Sequence, residues 1–237
     1  MEVSAMLRLA ILTERESATG YAMISALCGV PDADVVAVVV ASGPSPTKTR
    51  LRGDRTGNSI LAVLDRLASR MIGQTEATAL LKTAFPEQVL DLERLGEEHY
   101  IPIFAVNDLD GARAREILRG LALDLGVVLS SRSLKQSTFS VPRWGCVYLR
   151  IGKPPEDWGL YSAPSRLSDG QRTANVSVYF AASSGDKGAT VEEELVSADD
   201  QDTPETFRRK LEAHGTELLA RCVADLAWAK SVLPAAI

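Results

Sequence analysis

Three polar residues in the second half of the chain carry the chemistry most worth weighing. Tyr148 and Arg150 lie two apart in the run Cys146 to Ile151, and Asp186 lies in the turn Ser183 to Gly188. In a strand, residues two apart face the same way, so Tyr148 and Arg150 share one face. A guanidinium can steady an oxyanion or clasp a carboxylate or phosphate, but it cannot shuttle protons near neutral pH. A phenol adds one hydrogen-bond donor. A loop carboxylate such as Asp186 can accept a proton or pair with a cation such as Arg150. Plainer roles stay open: a sheet-surface Arg150 beside a structural Tyr148, and an Asp186 that only shapes its turn. Lys153 follows in a Gly/Pro-rich loop, where it is either solvated or in contact with an anionic ligand.

Other chemistries find little support. Cys28, Cys146 and Cys222 are far apart and in no CxxC spacing, and His99 and His214 are the only histidines. That argues against structural zinc or any other metal, and reads as buried free thiols in a reducing compartment. A nucleophilic Cys146 needs a neighbouring base, and neither histidine falls in a cleft segment. Neither GxxxxGK[ST] nor GxGxxG occurs, which disfavours ATP and dinucleotides.

Composition sets outer bounds. The 237 residues include 26 Lys or Arg against 31 Asp or Glu, a formal net charge of −5, with 46% apolar residues and 5% aromatic. A globular chain fits, and a long disordered one does not. An acidic chain without basic-aromatic interleaving is a poor nucleic-acid binder, so no nucleic-acid partner is expected. Acids at Glu2 and Glu14 and the lack of an apolar signal core point to a cytoplasmic protein. The longest apolar run, Val35 to Ala41, is far short of the roughly 20 residues of a membrane span, so no membrane partner is expected.

The elements that would position the polar residues read as one α/β domain over 1–237. Apolar runs predict strands at Leu7 to Leu12, Asp34 to Ser42, Ile101 to Val106, Leu125 to Leu129, Cys146 to Ile151, Val176 to Ala182 and Thr190 to Val196. Helices are expected at Gly20 to Cys28 and at Gly111 to Leu121, the latter capped by Asn107 or Asp108. A helical insertion is expected at about 56–98, and a long C-terminal helix at about 203–233, opened by Thr203 and Pro204. The alternation implies a mostly parallel central sheet flanked by helices, with ligands beyond the carboxyl ends of its strands. The terminal helix can pack on its own sheet or on a second copy, so a homodimer stays open.

Five segments, in order, resemble the formyltransferase family. They are YIPIF (Tyr100 to Phe104), LDLGVVLSSRSLK (Leu123 to Lys135), STFSVPRWGCVYLRIGKPPEDWG (Ser137 to Gly159), NVSVYFAASSGDKGA (Asn175 to Ala189) and DTPETFRRKLEAHGTELL (Asp202 to Leu219). The resemblance implies the Rossmann-like domain of the methionyl-tRNA, glycinamide-ribonucleotide and sugar formyltransferases. It also implies 10-formyltetrahydrofolate as cofactor and the amine of a small metabolite as acceptor. The family's catalytic Asn, its His two residues later and its loop Asp align with Tyr148, Arg150 and Asp186, so only the Asp is retained. By the same alignment Phe104, Ser130, Ser131, Ser133, Leu134 and Ala182 would line the folate site. Lys153 and Tyr179 would face the substrate, Tyr179 standing where the family has a His, with core packing as its plainer role.

The expected function is therefore a formyltransferase-like enzyme with a divergent site. Two alternatives accompany it: a repurposed enzyme of the same fold acting on an anionic metabolite in a specialised biosynthetic pathway, and a catalytically decayed, non-enzymatic paralogue.

Overall fold

The computed structural model describes residues 6–14, 20–41, 94–130, 133–151, 172–182 and 187–232. Expectations for the helical insertion up to residue 93, and for Ser131, Lys153 and Asp186, fall outside the described residues.

The strands are β1 (Leu7–Glu14), β2 (Ala33–Ala41), β3 (Ile103–Val106), β4 (Leu125–Leu129), β5 (Cys146–Ile151), β6 (Thr173–Ala181) and β7 (Lys187–Ser197). They form one sheet in the order β3-β2-β1-β4-β5-β6-β7. The four pairings among β3, β2, β1, β4 and β5 are parallel, and β6 and β7 add antiparallel strands at one edge. The chain thus builds outward from β1 to β3, then crosses back to lay β4 on the other side of β1. That reversal is where open α/β sheets leave a crevice for ligands.

The parallel strands are nearly continuous β-branched and apolar runs because both sheet faces are covered. On one face lie α1 (Gly20–Cys28) and the long C-terminal helix, against Leu9, Ile11, Val38, Val127, Leu149 and Val176. On the other lie α2 (Ala112–Gly120) and the short α3 (Gln136–Phe139), against Ala10, Leu12, Val39, Val128 and Tyr148. Each fully buried Val or Leu in these layers contributes about 1.5–3 kcal/mol of transfer free energy.

The C-terminal helix, α4, spans Pro204–Val232. It opens as its sequence suggests: the Thr203 hydroxyl accepts the N–H of Thr206 at 3.2 Å, and Pro204 occupies a position that needs no N–H donor. It packs on its own sheet, where a Cβ at Gly215 would come within 3.2 Å of Leu149. Its far end is pinned by Lys230, which donates to the Asp124 carboxylate and to the Met6 carbonyl. Asp124 also accepts the N–H of Arg8 at 2.9 Å.

The start of α2 differs from expectation. Gly111, not Asn107 or Asp108, is its N-cap, and no side chain caps it. Asp108 is used one step earlier, its Oδ1 accepting the N–H of Asp110 at 3.1 Å. The residue type was suited to a cap, but the turn before the helix consumed it.

Two glycines set the geometry around β5. Gly145 has φ 79°, a left-handed conformation that L side chains rarely adopt, and it turns the chain into the strand. Across the ladder, a Cβ at Gly126 would run into the Cys146 sulfur.

Candidate functional site

Register places a row of side chains across one sheet face. Phe104 pairs with Val39, Val39 with Leu12, Leu12 with Val128, Val128 with Tyr148 and Tyr148 with Tyr179. The row is aliphatic in the middle of the sheet and becomes phenolic where the strands turn antiparallel. Arg150 is one pleat further along β5, on the same face and opposite Ser177.

The rings of Tyr148 and Tyr179 stack with centroids 5.5 Å apart and 12° between planes. The Arg150 guanidinium carbon lies 5.9 Å from the Tyr179 ring centroid, within cation–π range. Tyr148 is 5% exposed and Arg150 9%. The Tyr148 hydroxyl accepts the backbone N–H of Leu134 at 2.7 Å, a bond that leaves its own hydrogen free to be directed elsewhere.

Tyr148 and Tyr179 line a shallow depression, open to solvent, together with Ser133, Leu134, Phe139, Ala181 and Ala182. Ser133 and Leu134 come from the segment after the carboxyl end of β4, and Ala181 and Ala182 from the end of β6. Burial pushes the phenols of Tyr148 and Tyr179 up, so both are neutral donors at physiological pH. For Tyr179 the positive charge of Arg150 partly offsets that rise. Tyr148, Tyr179 and Arg150 can therefore donate hydrogen bonds, but none of them accepts a proton near neutrality.

Methionyl-tRNA formyltransferase of Parvibaculum lavamentivorans is 27% identical over 141 residues, which are 59% of this chain and 46% of that protein. The corresponding protein of Kosmotoga olearia is 22% identical over 129 residues, 54% of this chain and 42% of its own. The chain spans less than half the length of these curated relatives. Phosphoribosylglycinamide formyltransferase from Bacillus halodurans superposes with a TM-score of 0.60 at 14% identity, covering 92% of this chain and 94% of that one. The chain has the formyltransferase fold and resembles that family in sequence. A formyltetrahydrofolate deformylase from Pseudomonas syringae pv. tomato also superposes, with a TM-score of 0.63, 15% identity, and coverage of 95% of this chain and 63% of its own. No protein-family profile matches the chain.

On this formyltransferase fold, five of the residues singled out from the sequence meet around the depression: Ser133, Leu134, Tyr148, Tyr179 and Ala182. Arg150 adjoins them through Tyr179. Ser130 lies just past the end of β4 and is half-buried. Phe104 is not with them. It stands half-buried on the edge strand β3, four strands from Tyr148, a span of about 19 Å at the usual strand spacing.

Phe139 lines the depression and was not anticipated. Its helix is only four residues long, too short to show a period in the sequence.

The remaining candidates lie elsewhere. Cys146 is buried, and burial pushes its thiol up to about 12, which removes it as a nucleophile near neutrality. The His99 ring pairs with the Ser25 hydroxyl at 3.2 Å, and His214 with Glu194 at 3.4 Å. Among the described residues, no group of three or more His, Cys, Asp or Glu is arranged to hold a metal ion. Likewise, no helix among them is long and apolar enough to cross a membrane.

Proposed function

We propose that this chain binds a formylated tetrahydrofolate in the Tyr148–Tyr179 depression and passes the formyl group to the amine of a small metabolite. The observation that carries the reading is the convergence of Ser133, Leu134, Tyr148, Tyr179 and Ala182 on one depression of a formyltransferase fold.

The residues present suit part of such a ligand. Leu134, Phe139 and Ala181 offer apolar surface, and the tyrosines offer aromatic surface with a hydroxyl that can donate. When bound, 10-formyltetrahydrofolate supplies the one-carbon group. The Arg150 guanidinium carbon lies 5.9 Å from the Tyr179 ring centroid, and its role is to stabilise negative charge on a carbonyl oxygen. Asp186 is assigned the proton released by the attacking amine, because Tyr148, Tyr179 and Arg150 cannot take it.

That lack of a proton acceptor in the Tyr148–Arg150 row favours a second reading, in which Arg150 and Lys153 hold an anionic metabolite on a repurposed site. Titration calorimetry with 5-formyltetrahydrofolate separates the two. Micromolar binding that Tyr179→Ala weakens supports the folate reading. Absence of folate binding, with a carboxylate or phosphate metabolite binding through Arg150, replaces it.

A further inference from the structure

We infer that Asp110 is a positioning residue of this site: together with Tyr148 it latches the segment 133–135 that forms one wall of the depression. The inference deepens the proposed function by saying what shapes the pocket, and it rests on contacts made without any ligand.

The segment after β4 carries no ladder hydrogen bonds at residues 133–135. Two consecutive backbone N–H groups there are nevertheless taken, each by a buried side chain from a different element. Leu134 donates to the Tyr148 hydroxyl at 2.7 Å, and Lys135 donates to the Asp110 carboxylate at 2.9 Å. Tyr148 belongs to β5, whereas Asp110 lies in the turn between β3 and α2. The wall is thus held from both sides.

Asp110 is itself held. It is 6% exposed, its N–H bonds the Asp108 carboxylate at 3.1 Å, and its carbonyl accepts from Arg115 on α2. Those two bonds fix its backbone, and the Lys135 N–H is the donor that its buried carboxylate meets. Preorganising a wall in this way lowers the ordering cost that a ligand would otherwise meet.

A consequence for recognition follows. With both N–H groups spent on protein acceptors, the wall presents no free backbone donor at Leu134 or Lys135. A ligand edge that carries an acceptor is left to the hydroxyls of Tyr148, Tyr179 and Ser133, which line the same depression.

The first test is amide hydrogen exchange on the unliganded full chain, which reads the latch independently of folate binding. Asp110→Ala is expected to speed exchange at Leu134 and Lys135 at least about 10-fold, as loss of one buried hydrogen bond would, while β1 and β4 amides keep their protection. Asp110→Asn, which retains a carbonyl oxygen as acceptor, is expected to restore most of that protection. Tyr148→Phe is expected to expose Leu134 more than Lys135. If Asp110→Ala fails to fold, Asp110→Asn and Tyr148→Phe still read the two latches separately. Unchanged protection of Lys135 in Asp110→Ala, or equal loss at both amides in Tyr148→Phe, overturns the inference. In the protein that binds 5-formyltetrahydrofolate, Asp110→Ala is expected to raise Kd by about 10-fold and Asp110→Asn to bring it back. An unchanged Kd in Asp110→Ala removes the positioning role.

Discussion

Tyr148 and Tyr179 are direct cross-strand partners on β5 and β6, and their rings stack almost parallel at 5.5 Å. The pair joins the parallel part of the sheet to its antiparallel edge on the face that bears the depression. Aromatic pairs of this kind add about 0.5–1.5 kcal/mol beyond area burial. Tyr179→Ala is expected to destabilise the fold by about 2 kcal/mol, less than a fully buried aromatic because Tyr179 is only half-buried. Tyr179→Phe, which keeps the ring, is expected to stay within about 0.5 kcal/mol. Urea midpoints measure both, and equal midpoints for Ala and Phe would show that the stack contributes nothing.

Formyl transfer at this site needs a proton acceptor, and the proposal assigns that role to Asp186. Asp186→Asn is expected to lower turnover by about 100-fold or more. Arg150→Lys keeps a positive charge but loses the planar fork, and a fall of similar order is expected. Turnover within a few-fold of the parent in either variant takes that residue out of the mechanism.

Lys230 and Asp124 form an ion pair in which the side chains are 16% and 11% exposed. Breaking such a pair from one side leaves a poorly solvated charge. Lys230→Met is expected to cost about 2–3 kcal/mol, somewhat under a wholly buried pair, because the Arg8 N–H still holds Asp124. Denaturation with urea reads the loss. Ligand affinity in the same variant should stay at the parent value, since Lys230 is not among the residues that line the depression.

Cys146 and Cys222 are both pushed up to about 12, chiefly by burial, from an ordinary value of 9.0. Their neutral form is favoured in the folded protein. Stability linked to these thiols is therefore complete below pH 9.0 and declines as pH rises from there toward about 12. Alkylation by iodoacetamide at pH 8 is expected to be slow in the folded chain and fast in urea. Rapid folded-state labelling of Cys146 would contradict its burial and reopen it as a nucleophile.

At the acid end, Glu194 is held below the ordinary carboxylate range, first by the hydrogen bond from Arg221 and further by His214. Its contribution is present above about 4.5 and is lost as pH falls through the lower folded value. Arg221→Met should therefore flatten the loss of stability between pH 5 and the acid limb, seen as converging urea midpoints of parent and variant at low pH. Parallel midpoints across that range would leave Glu194 without a share in acid stability.

Much of this was legible along the chain. The β-branched and apolar runs marked the strands because a strand covered on both faces must be apolar at nearly every position, and Cys146 to Ile151 was placed with the bounds that β5 has. Thr203 and Pro204 marked the start of α4 because capping is a local interaction. Strand parity put Tyr148 and Arg150 on one face, as the backbone alone requires. The ordered segments from Tyr100 to Leu219 pointed to the formyltransferase fold.

Only tertiary structure decided what those side chains meet. That Tyr148 stacks on Tyr179, rather than merely sharing a sheet with it, depends on the antiparallel register of β5 and β6. That its hydroxyl receives Leu134, and that Asp110 receives Lys135, depends on how loops from distant strands converge over one face. Phe104 was grouped with the site by its place in a motif, yet the sheet order puts it on the opposite edge. The physical reason is common to all three. Periodicity and capping are set by neighbours within a few residues, whereas strand order, register and loop contacts are set by partners that the chain brings together only when it folds.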